Sequence, residues 1–356
     1  MKKRTLKTII LAILFLFFVS WFYKIVMLML LAHTWREKII SKKEWGYKVV
    51  MGVLLIAMFC VLPRYRYNTF DRVQLIYQDE KGKPKHPPLS HYLVNVFLPE
   101  EEICNIGICG ARITPKAVPI AKWILEEFRY DDKKGNIGNF YHPFRRLNRE
   151  GLFMMSGTTS QVFNMMGIGN TQSVYLIKPK NYDANKEYPL VFFMHGYLGN
   201  WKLYTGVLKG LEDCIVLCVG TPTWSGIYSK QDISTLFTKQ IPFVESLGYK
   251  VDRNNLHIIG LSNGGSAVNV AYNNFSSKFK TITFISTGIH QTYPIPSKVL
   301  LVGGGKDHSA GTLRSAHRVL KSNGSKTDLF WSDNDTHFIF VNQMDEIIDF
   351  LNRNMK

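Results

Sequence analysis

The sequence has few acidic residues and carries no signature of nucleic-acid binding. Asp and Glu number 27 against 44 Lys and Arg, which gives a formal net charge of +17. The basic residues are spread thinly, with no basic helix, no RNP-like aromatic box and no zinc-finger spacing, which argues against nucleic acid as a partner. Attraction to the anionic headgroups of membrane lipids is the use of this charge that the sequence favours.

Cysteine is scarce, and the five cysteines do not indicate a disulfide framework. Cys214 and Cys218 lie in one strand-like run, too far apart along an extended chain to bond each other. Cys104 and Cys109 are compatible with either a small disulfide loop or two free thiols. No Cys/His cluster has the spacing of metal ligands, so the sequence predicts no structural metal.

Long apolar runs are concentrated near the N-terminus. Thr8 to Ala32 is interrupted only by Lys24 and would extend roughly 37 Å as one helix, enough to cross a bilayer. A second run, Tyr47 to Leu62, suits either a shorter span or an interfacial helix. No small-residue cleavage site follows the first run, which argues against a signal peptide. We therefore predict that residues 1–63 anchor the protein in a membrane of the bacterial inner-membrane type through one or two transmembrane helices. The sequence does not determine on which side of the membrane residues 64–356 lie.

Residues 64–150 form a predicted accessory or linking region of unclear fold. Arg72 to Tyr77 and His91 to Phe97 have the composition of strands, and a Pro- and Lys-rich loop separates them. Ala117 to Tyr130 has apolar residues at helical spacing. No residue in this region suggests chemistry.

From residue 151 onward, short apolar runs alternate with helix-length segments. The predicted strands are Ser173 to Pro179, Tyr188 to Met194, Cys214 to Val219, Leu256 to Ile259, Thr281 to Ile285, Val299 to Val302 and Asp328 to Trp331. The predicted helices are Trp201 to Leu211, Asp232 to Leu247, Gly265 to Tyr272, Gly311 to Ser322 and Gln343 to Asn352. Strands that are apolar throughout and alternate with helices predict a mostly parallel sheet covered on both faces. We assign residues 151–356 to one catalytic domain of this α/β class.

The most informative stretch is Gly260-Leu-Ser-Asn-Gly264, which fits the Gly-x-Ser-x-Gly pattern of a nucleophile elbow. A serine on a sharp strand-to-helix turn has a strained backbone. Side chains two residues before and after it would collide with the neighbouring chain. Ser262 is therefore the candidate nucleophile.

A candidate acid and a candidate base follow later strands of the predicted sheet. Asp307 comes after the next-to-last strand and a glycine turn, and His337 comes after the last strand. The order Ser262, Asp307, His337 is that of a Ser-Asp-His triad, in which histidine is the general base and aspartate orients it. The sequence leaves open His308 as the base and Asp333 or Asp335 as the acid.

The glycine-containing turn after the Tyr188 strand predicts an oxyanion hole. We assign it to the backbone N–H groups of Tyr197 and Asn263, while His195 is interpreted as a structural residue that braces the loop. Trp201 and Trp224 are predicted to bind substrate. Tyr204 and Tyr228 are further candidates for such an aromatic platform, with packing in the core as the alternative.

The sequence from about residue 150 to residue 356 resembles serine esterases of the α/β-hydrolase superfamily. The resemblance is to the group that includes polyhydroxybutyrate depolymerases, feruloyl esterases and acetylxylan esterases. The resemblance rests on the segments 188–196, 249–265, 302–307 and 336–337. It implies hydrolysis of a small-molecule, lipid or sugar ester through an acyl-enzyme without a cofactor. A serine peptidase of prolyl-oligopeptidase type and a non-catalytic scaffold with the same fold remain alternatives. The link of residues 287–298 is too short for an inserted lid.

Overall fold

A computed structural model of the chain describes residues 2–17, 21–36, 44–61, 69–86, 172–196, 201–220 and 226–356. The predicted strand over 91–97 and the predicted helix over 117–130 lie outside these ranges. So do Cys104 and Cys109. Cys60, Cys214 and Cys218 are free thiols.

Ten helices and ten strands are described. The helices are α1 (Lys2–Phe17), α2 (Trp21–Thr34), α3 (Glu44–Val61), α4 (Trp201–Leu208), α5 (Lys230–Thr235), α6 (Ile241–Ser246), α7 (Gly265–Phe275), α8 (Ala310–Ser322), α9 (Ile339–Asn342) and α10 (Met344–Asn354). The strands are β1 (Thr69–Phe70), β2 (Val73–Gln78), β3 (Pro84–Lys85), β4 (Gln172–Ile177), β5 (Tyr188–Met194), β6 (Ile215–Val219), β7 (Val251–Leu261), β8 (Thr281–Ile285), β9 (Lys298–Gly304) and β10 (Thr327–Ser332).

All ten strands belong to one sheet in the order β1-β2-β4-β6-β5-β7-β8-β9-β10, with β3 paired to β2. The six strands from β6 to β10 along this order run parallel, and β4 pairs with both β2 and β6 in the antiparallel sense. The crossovers place helices over the sheet, as in an α/β-hydrolase fold. The prediction of a mostly parallel α/β sheet is therefore confirmed.

The central strands are apolar throughout because helices cover both faces of the sheet. Along β5, Val191 and Phe193 pack on one face with α4 and α10, whereas Leu190, Phe192 and Met194 pack on the other face with α5 to α8. Every one of these five side chains is at most 1% exposed. Burial on both faces explains why no alternation of apolar and polar residues marks these strands.

The N-terminal segment differs from the predicted single helix over Thr8–Ala32. Two helices, α1 and α2, replace it, and Trp35 donates its indole N–H to the Thr8 hydroxyl at 2.9 Å. Apolar side chains of α2, including Phe22 and Ile25, are buried. The chain therefore folds back on itself here and does not form one rod. Among the described residues, no helix is both long enough and apolar enough to cross a membrane.

Strands β1 to β3 come from the region that the sequence assigned to an accessory or linking segment, yet they join the main sheet. Val73 to Gln78 pairs in register with Ile177 to Gln172 of β4. The chain between residues 87 and 171 lies outside the described ranges, so the proposed boundary between residues 150 and 151 stays a prediction.

Candidate active site

Ser262 occupies a sharp turn between β7 and α7. Its φ is +52°, a left-handed conformation that non-glycine residues seldom adopt. A Cβ atom at Gly260 would lie 2.3 Å from the Gly264 carbonyl oxygen, and one at Gly264 would lie 2.2 Å from that of Met194. Both distances are far below a van der Waals contact, so only glycine fits. The elbow geometry predicted from the five-residue pattern is present.

His337 lies in the loop between β10 and α9, with its ring directed at Ser262. Its Nε2 atom is 2.7 Å from Ser262 Oγ. Its Nδ1 atom is 3.2 Å from both carboxylate oxygens of Asp307. A carboxylate only accepts hydrogen bonds, so Nδ1 carries the proton and Nε2 is left as the acceptor for the serine hydroxyl. The three residues singled out in the sequence thus form one chain of hydrogen bonds.

Asp307 lies in the turn between β9 and α8 and accepts hydrogen bonds from several donors. Besides His337, these are His308 Nδ1 at 2.9 Å and the Ser309 N–H at 3.1 Å. Burial raises the pKa of Asp307, but the hydrogen bonds from His308 and His337 outweigh that effect and hold its pKa well below the usual range. Asp307 is therefore a buried carboxylate anion.

The alternative acids are engaged elsewhere. Asp333 binds Arg314 and the indole N–H of Trp331 at the surface. Asp335 accepts hydrogen bonds from Ser332, Asn342 and Gln343 and so braces the loop that carries His337.

His308 donates to Asp307 through Nδ1, whereas the ring that bonds Ser262 Oγ is that of His337. The ring of His308 stacks on that of His337 with centroids 5.0 Å apart, and the His308 side chain is 63% exposed. The hydrogen bond to Asp307 raises the pKa of His308. Sequence reasoning considered His308 only as an alternative base, whereas in the structure it is a second hydrogen-bond donor to the acid, beside His337.

Ser286 is a further contributor that sequence reasoning missed. It follows β8, has a φ of +49°, and is 1% exposed. Its hydroxyl donates to the His337 carbonyl oxygen at 3.1 Å. A small polar residue directly after a buried strand was the only signal in the sequence.

Of the predicted oxyanion donors, Asn263 lies in the 3₁₀ turn directly after Ser262, and Tyr197 lies outside the described residues. Gly196 is close to the nucleophile, since a Cβ there would be 3.3 Å from Ser262 Cβ. His195 is fully buried, contacts the Gly196 carbonyl oxygen through Nδ1 and packs edge-on against Tyr228. Burial lowers the pKa of His195 to about 4, which agrees with a structural role.

The aromatic platform is placed differently from what the sequence suggested. Tyr204 is buried against Phe193 and Phe340. Tyr228 is buried and donates its hydroxyl to the Val219 carbonyl oxygen at 3.0 Å. Both are core residues because their rings fill space between sheet and helices. Trp224 lies outside the described residues, and Trp201 is described only as the first residue of α4.

No protein-family model matches the chain, and no curated protein matches it. Similar solved structures include a thermostable esterase, at 19% identity and a TM-score of 0.39 over 51% of this chain and 59% of that one. Acylaminoacyl peptidase from Pyrococcus horikoshii matches at 14% identity and a TM-score of 0.41, over 52% of this chain and 40% of that one. A ferulic acid esterase from Anaeromyces mucronatus matches at 18% identity and a TM-score of 0.41, over 52% of this chain and 85% of that one.

The chain thus spans 59% and 40% of the lengths of the first two of these proteins. Similarity of this degree carries no conclusion about activity, which has to come from the residues themselves.

Proposed function

We propose that the protein is a serine hydrolase that cleaves carboxylic esters through an acyl-enzyme, with Ser262 as nucleophile, His337 as general base and Asp307 as the orienting acid. The observation that carries this proposal is the hydrogen-bonded chain from Ser262 through His337 to Asp307, with 2.7 Å between Ser262 Oγ and His337 Nε2. A serine hydroxyl is a weak nucleophile at neutral pH and needs an adjacent base.

The reaction would proceed in two steps. His337 Nε2 takes the Ser262 proton as Oγ attacks the ester carbonyl carbon, and it then returns that proton to the alcohol oxygen as the acyl-enzyme forms. A water molecule, deprotonated by the same nitrogen, hydrolyses the acyl-enzyme and restores Ser262. Asp307 stabilises the imidazolium in both steps.

The oxyanion of each tetrahedral intermediate needs hydrogen-bond donors near Ser262. The backbone N–H of Asn263 is one proposed donor, since Asn263 directly follows the nucleophile in the 3₁₀ turn Ser262–Gly264. Tyr197 is the proposed second donor because the Gly196 backbone lies beside Ser262. Trp201 and Trp224 stay proposed substrate contacts on the sequence pattern alone.

Hydrolysis of p-nitrophenyl esters from acetate to palmitate by the purified full-length chain tests the proposal. Ser262→Ala and His337→Ala are each expected to lower kcat/KM about a thousandfold or more. Ser322→Ala, which alters an exposed serine on α8, is the matched control and should keep wild-type activity. The chain-length optimum would distinguish short acyl groups from lipid esters.

Two other outcomes favour the alternatives. Faster cleavage of p-nitroanilides than of the matching esters would favour a peptidase with the same three residues. Wild-type turnover no higher than that of Ser262→Ala, in protein shown to be folded, would favour a non-catalytic scaffold.

We also propose that the N-terminal helices attach the protein to a membrane surface. The supporting observation is a set of large apolar side chains that are exposed on α1 and α3, namely Leu6, Ile9, Ile13, Leu16, Trp45, Val49, Val53 and Ile56. Large apolar side chains exposed in such number are typical of surfaces that contact lipid or another protein. The exposed Arg4 and Lys7 suit anionic headgroups.

Flotation with vesicles of phosphatidylglycerol and phosphatidylcholine tests this attachment. The wild-type chain should float with the vesicles, and an Ile9→Glu/Ile13→Glu variant should stay in the soluble fraction. Val319→Glu changes an exposed apolar residue of α8 and should float as the wild type does. Equal flotation of all three proteins would contradict attachment through α1.

A further inference from the structure

The acid of the proposed site is shared by two histidines, and the proposed reaction uses only one of them. Asp307 Oδ1 lies 2.9 Å from His308 Nδ1 and 3.2 Å from His337 Nδ1. One ligand atom from each of these three residues lies within 4.8 Å of the others. Two imidazoles and a carboxylate brought together in this way are the ligand types that zinc binds.

The spacing of these atoms suits a tetrahedral ion. Ligand atoms at the usual zinc distances of about 2.0–2.1 Å, separated by a tetrahedral angle, lie about 3.3 Å apart. The nitrogen-to-oxygen distances of 2.9 and 3.2 Å at Asp307 are close to that value. An ion bound here would take the place of the two Nδ1 protons.

The surroundings of the three side chains fit a metal site as well. Asp307 has no exposed side-chain surface and His337 has 9%, whereas His308 is 63% exposed and opens the cluster to solvent. The Ser309 N–H bonds Asp307 Oδ1, and Ser262 Oγ lies beside the far nitrogen of His337. Such outer partners orient metal ligands and stabilise their tautomers.

We propose that Asp307, His308 and His337 bind Zn²⁺ and that the bound ion switches the hydrolase off. Zinc on Nδ1 of His337 leaves the ring proton on Nε2, which then donates to Ser262 Oγ and has no lone pair to accept its proton. The ion also occupies the carboxylate that would stabilise the imidazolium. The inhibitory half of this inference rests on the proposed function, whereas zinc binding itself does not.

Two measurements on the metal-stripped full-length chain separate these halves. Isothermal titration with zinc chloride measures binding, and the rate of labelling by a fluorophosphonate with and without zinc measures the state of Ser262. His308→Ala removes one ligand, and each variant is compared with itself in the presence and absence of zinc. His290→Ala, which alters an exposed histidine of the loop after β8, is the matched control.

We expect wild type and His290→Ala to bind zinc and to label at least about tenfold more slowly when it is bound. His308→Ala should lose at least about tenfold in zinc affinity and keep its own labelling rate in zinc concentrations that slow the wild type. Zinc binding and slowing that His308→Ala shares with the wild type would overturn the inference, as would bound zinc that leaves labelling unchanged. Absence of labelling in zinc-free wild type would instead contradict the proposed function, while the titrations would still decide the zinc site.

Discussion

Ser262 has a left-handed backbone, with a φ of +52°, and the glycines around it allow the chain to approach closely enough for this turn. The carbonyl oxygen of Met194, at the end of β5, lies where a side chain of residue 264 would begin. The position of the nucleophile is therefore set by contact between the ends of β5 and β7.

Gly264→Ala adds one methyl group at this contact and so tests whether the contact positions the nucleophile. The added Cβ would lie 2.2 Å from the Met194 carbonyl oxygen, so the backbone has to move. We expect the free energy of unfolding in urea to fall by about 2–3 kcal/mol and ester hydrolysis to be nearly lost.

The control is Gly311→Ala on α8, where nothing lies within 4 Å of the added Cβ. Alanine favours a helix over glycine, so the free energy of unfolding should rise by up to about 1 kcal/mol. Equal changes in the free energy of unfolding for Gly264→Ala and Gly311→Ala would contradict the close backbone contact at Gly264.

Single residues of the site differ in how far the sequence predicts them. Ser262, Asp307 and His337 each follow an apolar run, and the carboxyl ends of parallel strands meet at one edge of a sheet. The bond from His308 to Asp307 and that from Ser286 to His337 depend on how two turns face each other. No pattern along the chain carries that information.

At the scale of elements, the helical segment between β6 and β7 has an interruption that the hydrophobic pattern of the sequence does not predict. The sequence predicts one helix over 232–247, whereas a π-helical turn, Leu236–Gln240, separates α5 from α6. The amides of Gln240 and Gln78 pair reciprocally at 3.0 and 3.2 Å, although the two residues are 162 positions apart. The strands were easier to predict because burial on both faces makes them apolar throughout.

The Gln78–Gln240 pair joins β2 to this helical segment. Replacing only one of the two glutamines should destabilise the protein. Both residues are at most 1% exposed. Gln240→Leu leaves the Gln78 amide buried without its partner, and we expect the free energy of unfolding to fall by about 2 kcal/mol. The double variant Gln78→Leu/Gln240→Leu should recover most of that loss, because no buried amide remains.

Thr238→Ala, at an exposed position of the same turn, is the control for helix propensity and should change stability by less than about 0.5 kcal/mol. A double variant as unstable as the sum of the two single variants would show that the pairing of the amides is not what stabilises this contact.

At the scale of the whole molecule, two buried histidines couple folding to pH. Burial lowers the pKa of His257 to about 3 and that of His195 to about 4, against 6.5 for an exposed histidine. Below pH 6.5 the unfolded chain takes up protons that the folded chain does not, so stability falls as the pH falls towards these values. From pH 7 to pH 5 each histidine should lower the free energy of unfolding by about 2 kcal/mol.

Urea unfolding of the wild type and of His257→Gln at both pH values measures this coupling. The side chain of His257 lies 2.8 Å from Thr281 Oγ1 and 2.9 Å from Asn255 Oδ1, and glutamine offers similar groups without a titrating ring. The variant should lose about 2 kcal/mol less between pH 7 and pH 5, whereas His290→Gln, at an exposed position, should behave as the wild type. If the free energy of unfolding of His257→Gln depends on pH as that of the wild type does, the lowered pKa of His257 is contradicted.

The central claim is that Ser262 is an activated nucleophile, and covalent labelling followed by peptide mass mapping tests it most directly. The folded full-length chain is treated with a fluorophosphonate, beside Ser262→Ala and Ser322→Ala. We predict one adduct per chain on the peptide that contains Ser262, absent in Ser262→Ala and retained in Ser322→Ala. An unlabelled wild type, or an adduct that persists in Ser262→Ala, would contradict the assignment of Ser262 as the nucleophile.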